Sequence, residues 1–131
     1  MKKIGVINAP ISTMIAELGH MDTMTIADAG LPIPKGVHRI DLALTKGIPG
    51  FIDTLRVILS EMKIEKVVVA DEMKQISPSI LTENQSLIGD TPIDFVPHQQ
   101  FKNLTISSRA IIRTGEFTPY TNIILVSGVV F

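Results

Sequence analysis

The chain has 131 residues, the length of one domain spanning 1–131, and its 12 Lys and Arg against 13 Asp and Glu give a formal net charge of -1, which leaves no basic surplus for nucleic acid or an anionic membrane surface. It has no cysteine, excluding disulfide and thiolate chemistry, and Met1-Lys-Lys-Ile-Gly-Val lacks the long apolar core of a signal peptide, so a cytoplasmic protein is expected. Only 19% of residues are charged and mean hydropathy is +0.34, so the chain has more apolar surface than a small monomer hides well, and oligomerisation is the natural remedy.

Ile4 to Ile7 reads as a short segment entering a helix over about Pro10–Leu18, with Asn8 as N-cap and Pro10 tolerated in the first turn. Ile11, Met14, Ile15 and Leu18 supply its helical apolar period, and Gly19 stops it. Thr23 to Ala27 is a strand by its threonine and branched content. After the Pro/Gly-rich loop Gly30 to Gly36, Val37 to Leu44 alternates as a strand, and Lys46-Gly-Ile-Pro-Gly50 breaks the chain again. Phe51 to Met62 is the clearest helix, because Phe51, Ile52, Leu55, Ile58, Leu59 and Met62 keep the 3.6 period.

Val67 to Ala70 is a short continuous apolar run of the kind found in buried parallel strands. Ser77-Pro78 starts a further helix towards Leu87, Ile93 to Val96 is a strand, and Pro97 to Leu104 forms one or two helical turns. Arg109 to Arg113 and Ile123 to Val126 are the last strands, joined by Thr114-Gly-Glu-Phe-Thr-Pro-Tyr120. The alternation predicts a single layered α/β domain with a largely parallel sheet flanked by helices. The end of the chain, Asn122 to Phe131, is apolar to its last residue, whereas free termini are usually polar and frayed, so a partner surface is expected over it.

His20 and Asp28 bracket the Thr23–Ala27 strand. His20, at a helix end, is placed to carry the imidazolium and to act as a general acid, although the same position suits a residue that caps a terminal carbonyl. Asp28 lies just beyond a strand's carboxyl end, where α/β sheets hold ligands, but an aspartate before Ala-Gly also makes a good turn residue. His98 follows Pro97 at another carboxyl edge, with Lys102 one helical turn later on the same face. Tyr120 and Asn122 offer a phenol, an amide and backbone groups suited to sugar hydroxyls. His38, beside Arg39, reads as a surface residue. Neither Gly30…Gly36 nor Gly47…Gly50 has the glycine spacing of a nucleotide loop, no metal-ligand spacing occurs among the histidines and carboxylates, and a serine hydrolase elbow is missing.

Beyond these local readings, Glu17-Leu-Gly-His20, Ile26-Ala-Asp-Ala-Gly-Leu-Pro-Ile-Pro34, Arg39-Ile-Asp-Leu-Ala-Leu44, Ile112-Arg-Thr-Gly-Glu116, Thr118-Pro-Tyr120 and Asn122 to Phe131 together resemble the D-ribose pyranase family over essentially the whole chain. The resemblance implies a cofactor-free isomerase that interconverts pyranose and furanose forms of D-ribose and so feeds ribokinase after uptake. It also implies a ring-shaped homo-oligomer, commonly a decamer of two stacked pentamers, with sites near subunit contacts. By the same resemblance His20 matches the proton donor, while Asp28, His98 and the stretch Tyr120, Thr121 and Asn122 match sugar-binding residues, with Lys102 a weaker match.

This chain departs from the family at Met21 (commonly threonine), Ala9-Pro10 (often Ser-Glu), Phe117 (usually cysteine) and Thr121 (usually alanine), and matches least over residues 72–90. Changing ring size needs acid and base groups and no metal, nucleophile or nucleotide, in keeping with the motifs that are missing. His20 is read as the acid and Asp28 as orienting it or holding hydroxyls. The alternatives are a non-catalytic sugar-binding accessory of ribose uptake and a mutarotase acting on another sugar such as L-fucose.

Overall fold

Asn8 starts the first helix as its sequence position predicts: its side-chain oxygen accepts the Ile11 N–H at 3.0 Å, satisfying one of the free donors of the first turn. The computed structural model describes residues 1–131. Helix α1 (Ala9–Glu17) is followed by β1 (Thr23–Ala27), β2 (His38–Asp41), α2 (Phe51–Leu59), β3 (Ile64–Ala70), α3 (Met73–Ile76), α4 (Pro78–Ile88), β4 (Ile93–Val96), α5 (His98–Leu104), a 3-10 turn at Thr105–Ser107, β5 (Ala110–Arg113) and β6 (Ile123–Ser127).

The six strands form one sheet in the order β2-β5-β1-β6-β3-β4. β1 with β5, β2 with β5, and β3 with β4 pair in parallel. β6 runs antiparallel to both of its neighbours, with Thr23 opposite Val126 and Ile26 opposite Ile123 on the β1 side. A largely parallel sheet was expected, and β6 is its exception. That reversal matters for the site: the start of β6 lies beside the carboxyl end of β1, and the end of β6 lies beside the amino end of β1.

The central strands are buried on both faces, which is why they read as apolar runs and not as alternations. Val67 and Val69 join the larger core with Phe51, Leu55 and Ile58 of α2 and Ile11 and Met14 of α1. Val68, between them in sequence, points to the opposite face and packs in a smaller cluster with Ile111, Ile124 and Phe101 of α5. α2 earns its position through this burial, since Phe51, Leu55 and Ile58 are each fully enclosed; truncating Leu55 to Ala costs about 2–5 kcal/mol by the usual large-to-small scale.

Several boundaries differ from expectation. The Val37–Leu44 strand shortens to His38–Asp41, an edge strand with three of its four residues exposed, so its ends lack a second partner. α2 ends at Leu59, where the Ser60 hydroxyl bonds the Val57 carbonyl at 2.6 Å. β3 begins three residues early at Ile64, and Ile4 to Ile7 forms no regular element. The short α3 was not legible, because four residues carry no period. No helix is long and apolar enough to cross a membrane.

Candidate active site

At the carboxyl edge of the sheet, Asp28 and Asn122 face each other across the β1–β6 pair. The Asn122 amide donates to Asp28 Oδ2 at 2.9 Å and its carbonyl accepts the Asp28 N–H at 2.9 Å. The other carboxylate oxygen accepts the Gly30 N–H at 2.9 Å, closing the Asx turn that the Asp-Ala-Gly sequence favours. The turn and the ligand readings of Asp28 are therefore compatible, because one oxygen shapes the loop while the group as a whole faces a cavity. Burial raises the Asp28 carboxyl above its ordinary 3.8, and the bonds from Gly30 and Asn122 only partly offset this.

The cavity has a volume of about 520 Å³ and is lined by Asp28, His98, Tyr120 and Asn122, together with Arg113, Glu116, Phe117, Thr118 and the Ala29–Pro32 turn. That is the scale of small-molecule sites. His98 reaches it from the start of α5, its backbone N–H held by the Glu72 carboxylate at 3.0 and 3.1 Å. Its ring stacks on Phe101 at 6.2 Å between centroids and meets the Tyr120 ring edge-on at 4.9 Å, and its Nδ1 is buried without a protein partner. Tyr120 holds a left-handed φ of 61°, a conformation rare outside glycine and frequent at functional sites.

The loop that presents these groups is tied down by Glu116. One of its oxygens accepts the backbone N–H groups of Phe117 and Thr118 at 3.0 and 2.9 Å, and the other that of Phe51 at 3.5 Å. Partial burial would push the Glu116 carboxyl up, but these bonds outweigh it and hold it below 4.5. Gly115 is required beside it, since a Cβ there would lie about 2.5 Å from the Thr45 and Ile48 carbonyls. Arg113, at the carboxyl end of β5, donates to the Ala29 carbonyl at 3.1 Å and to both Asp41 oxygens at 3.2 Å, bracing the turn after Asp28.

His20 lies elsewhere. It stands before β1, while Asp28 follows it, so the five-residue strand Thr23–Ala27, about 16 Å at 3.3 Å per residue, separates them. Its Nε2 is 2.8 Å from Glu65 Oε2, and it borders a separate groove shared with Leu18, Met62 and the chain end Val129 to Phe131. Two expectations change accordingly. His20 bonds a carboxylate and caps no carbonyl, and within one chain Asp28 cannot orient it, because they occupy opposite ends of the same strand.

Two other expected residues also lie outside the cavity. Thr121 is completely buried and does not line it, and its hydroxyl has no hydrogen-bond partner. Lys102 shares a helix face with His98 but is not in the cavity wall; its carbonyl accepts the Thr105 hydroxyl at 2.7 Å. Arg113 and Glu116 were missed as site residues, although Arg113 ends a parallel strand as Asp28 does, and that rule could have found it.

The profile of the RbsD / FucU transport protein family matches residues 1–130. The chain is 54% identical to the D-ribose pyranase of Laribacter hongkongensis and 56% identical to that of Coprothermobacter proteolyticus, in each case over 131 residues covering all of both proteins. Its fold is similar to that of Bacillus subtilis RbsD complexed with D-ribose, with a TM-score of 0.97 and 46% identity over all of both chains. It is also similar to the fucose mutarotase of Streptococcus pneumoniae in complex with L-fucose, with a TM-score of 0.85 at 24% identity over all of both chains, a likeness of fold alone.

Proposed function

The chain belongs to the RbsD / FucU transport protein family, and from that premise we propose that it is a D-ribose pyranase, an isomerase interconverting the pyranose and furanose forms of D-ribose without a cofactor. The observation that carries the reading is the polar cavity at the sheet's carboxyl edge, where Asp28, His98, Tyr120 and Asn122 converge in a protein about half identical over its full length to named D-ribose pyranases. The family's name speaks of transport, but the acid–base groups here suit chemistry and not only retention.

Opening the pyranose breaks the C1–O5 bond; its electron pair goes to O5, which takes a proton, while O1 loses its proton as the C1=O1 double bond forms. Reclosure as furanose has O4 attack C1, O4 losing its proton and O1 regaining one. His20 supplies the proton to the ring oxygen. The Asp28 carboxylate and the Asn122 amide, bonded to each other, hold the sugar hydroxyls, with His98 and Tyr120 forming the wall on which the ring rests. Ring exchange already proceeds in water, so the roughly 10²–10⁴-fold gained from positioned proton transfer is sufficient.

The separation of His20 from the cavity supports a site assembled from two subunits, the amino end of β1 in one facing the carboxyl end of β1 in the next. Such a contact joins two different surfaces, and repeated around an axis it closes a ring. We read the assembly as two stacked pentamers, located in the cytoplasm. The exposed side chains of Val130 and Phe131 beside His20 offer the apolar surface for that contact; each large apolar side chain left in water forgoes roughly 1.5–3 kcal/mol of burial.

Magnetisation-exchange NMR on ribose tests the activity directly. The protein is expected to accelerate pyranose–furanose exchange well above the buffer rate at catalytic concentration. Saturable ribose binding with no acceleration would identify a binding protein instead.

A further inference from the structure

We propose that Glu65 is a positioning residue for His20: by accepting the Nε2 proton it fixes the ring so that Nδ1 is the nitrogen that exchanges a proton with the sugar. The proposal rests on the ribose-exchange reading of the site and adds a residue to it. Nε2 of His20 lies 2.8 Å from Glu65 Oε2. A carboxylate at that distance can only accept, so Nε2 carries the hydrogen whether the ring is neutral or charged. Nδ1 is then the lone-pair nitrogen of the neutral ring and the transferable proton of the imidazolium.

The local backbone is built to produce this pair. Glu65 sits where the β3–β6 register shifts, between the pairs Ile64–Ser127 and Lys66–Val126. A bulge re-aims the side chain it carries, and such irregularities gather beside active sites. Gly128 lets the strand pass closely, since a Cβ there would lie 3.2 Å from the Glu65 Cβ. On the other side, Met21 takes a left-handed φ of 69° immediately after His20, and its N–H donates to the Ser127 carbonyl at 3.0 Å. Both partners are therefore steered towards each other by unusual backbone.

Stability does not explain the arrangement. The side chains are 54% and 36% exposed, and an ion pair that open to water contributes little to folding. Fixing a tautomer, in contrast, has a large effect on an acid–base group, because the wrong nitrogen then faces the substrate.

The test combines nitrogen NMR of His20 in the ligand-free protein with ribose exchange. In the wild type, Nε2 is expected to give the protonated, pyrrole-type signal. Glu65→Ala should let both tautomers appear and lower the exchange rate at saturating ribose by roughly tenfold or more, with the half-saturating concentration changed less than about twofold. Glu65→Gln keeps an acceptor oxygen of the same shape and should hold the tautomer and recover part of the rate. A proton on Nδ1 in the wild type, or a wild-type rate in Glu65→Ala, would overturn the proposal. So would dissociation of Glu65→Ala together with full activity in Glu65→Gln, which would assign the residue to assembly. The tautomer signal needs no ribose, so its failure is separable from a wild type that does not exchange ribose at all.

Discussion

The two ends of β1 are built in opposite ways. At the carboxyl end, Asp28 is half-enclosed, bonded to Asn122 and Gly30, and walled by a loop whose backbone Glu116 gathers. At the amino end, His20 is more than half exposed, its ring held by one carboxylate, beside a chain end whose Val130 and Phe131 stand in solvent. The first is a cavity wall whose polar groups are fixed within one chain. The second is an exposed, carboxylate-paired histidine with an uncovered apolar border. The contrast puts an enclosed polar cavity and an exposed histidine at separate ends of one strand, and on the proposed reading a second subunit must bring the two together.

The comparison breaks most sharply at His20. Replacing it by Ala should remove most of the catalysed ribose exchange, two orders of magnitude or more, since positioned proton transfer is worth roughly 10²–10⁴-fold. Its melting temperature should barely move, because the exposed pair with Glu65 contributes at most about 1 kcal/mol. Exchange NMR beside thermal melting checks both; exchange at the wild-type rate would make His20 a structural residue.

Deleting residues 129–131 attacks the uncovered border. Light scattering should show a smaller or weaker assembly, and exchange should fall with it while ribose contacts at the carboxyl edge stay intact. A truncated protein of unchanged mass and rate would show that the tail is dispensable.

A smaller effect separates the enclosed end from the exposed one by pH. Asp28 ionises at higher pH in the folded protein than in the unfolded chain, because burial raises it above 3.8. As pH climbs through the window between the unfolded and folded values, ionisation favours the unfolded chain, and stability present below 3.8 is lost. Asp28→Asn cannot ionise, so its stability relative to wild type should grow across that window even as its exchange activity falls. Melting curves of the two proteins from acid to neutral pH decide this; parallel curves would mean that Asp28 is not perturbed. The smallest expected effect is none at all: exhaustive chelation should leave exchange unchanged, and loss restored by one divalent ion would contradict a purely acid–base site.

Much of this is readable in the sequence. The period of Phe51, Leu55 and Ile58 located α2, and the run Val67 to Ala70 located a buried strand, because burial on one or two faces leaves a direct trace in composition. Asp28 and His98 are legible as residues beyond strand ends, and Tyr120 and Asn122 as polar groups of the last loop, although nothing local shows that Asn122 pairs with Asp28. That contact depends on β6 running antiparallel, a fact of topology that short apolar runs do not carry. Arg113 could be found by the strand-end rule that finds Asp28, but what it and Glu116 brace could not. Their work is done through backbone groups of the Ala29 and Phe117 regions, distant in sequence or invisible as side-chain chemistry. Glu65 was not visible as a partner of His20, since a bulge leaves no pattern in a strand.

The most direct measurement is subunit complementation. His20→Ala and Asp28→Ala proteins, each inactive alone, are dissociated, mixed in equal amounts and reassembled, and ribose exchange is measured by NMR. If each site takes His20 from one subunit and Asp28 from its neighbour, random mixing restores about one quarter of the sites, because half of the subunits carry each intact group and the contact is between unlike surfaces. A mixture that stays as inactive as its two components would contradict a shared site.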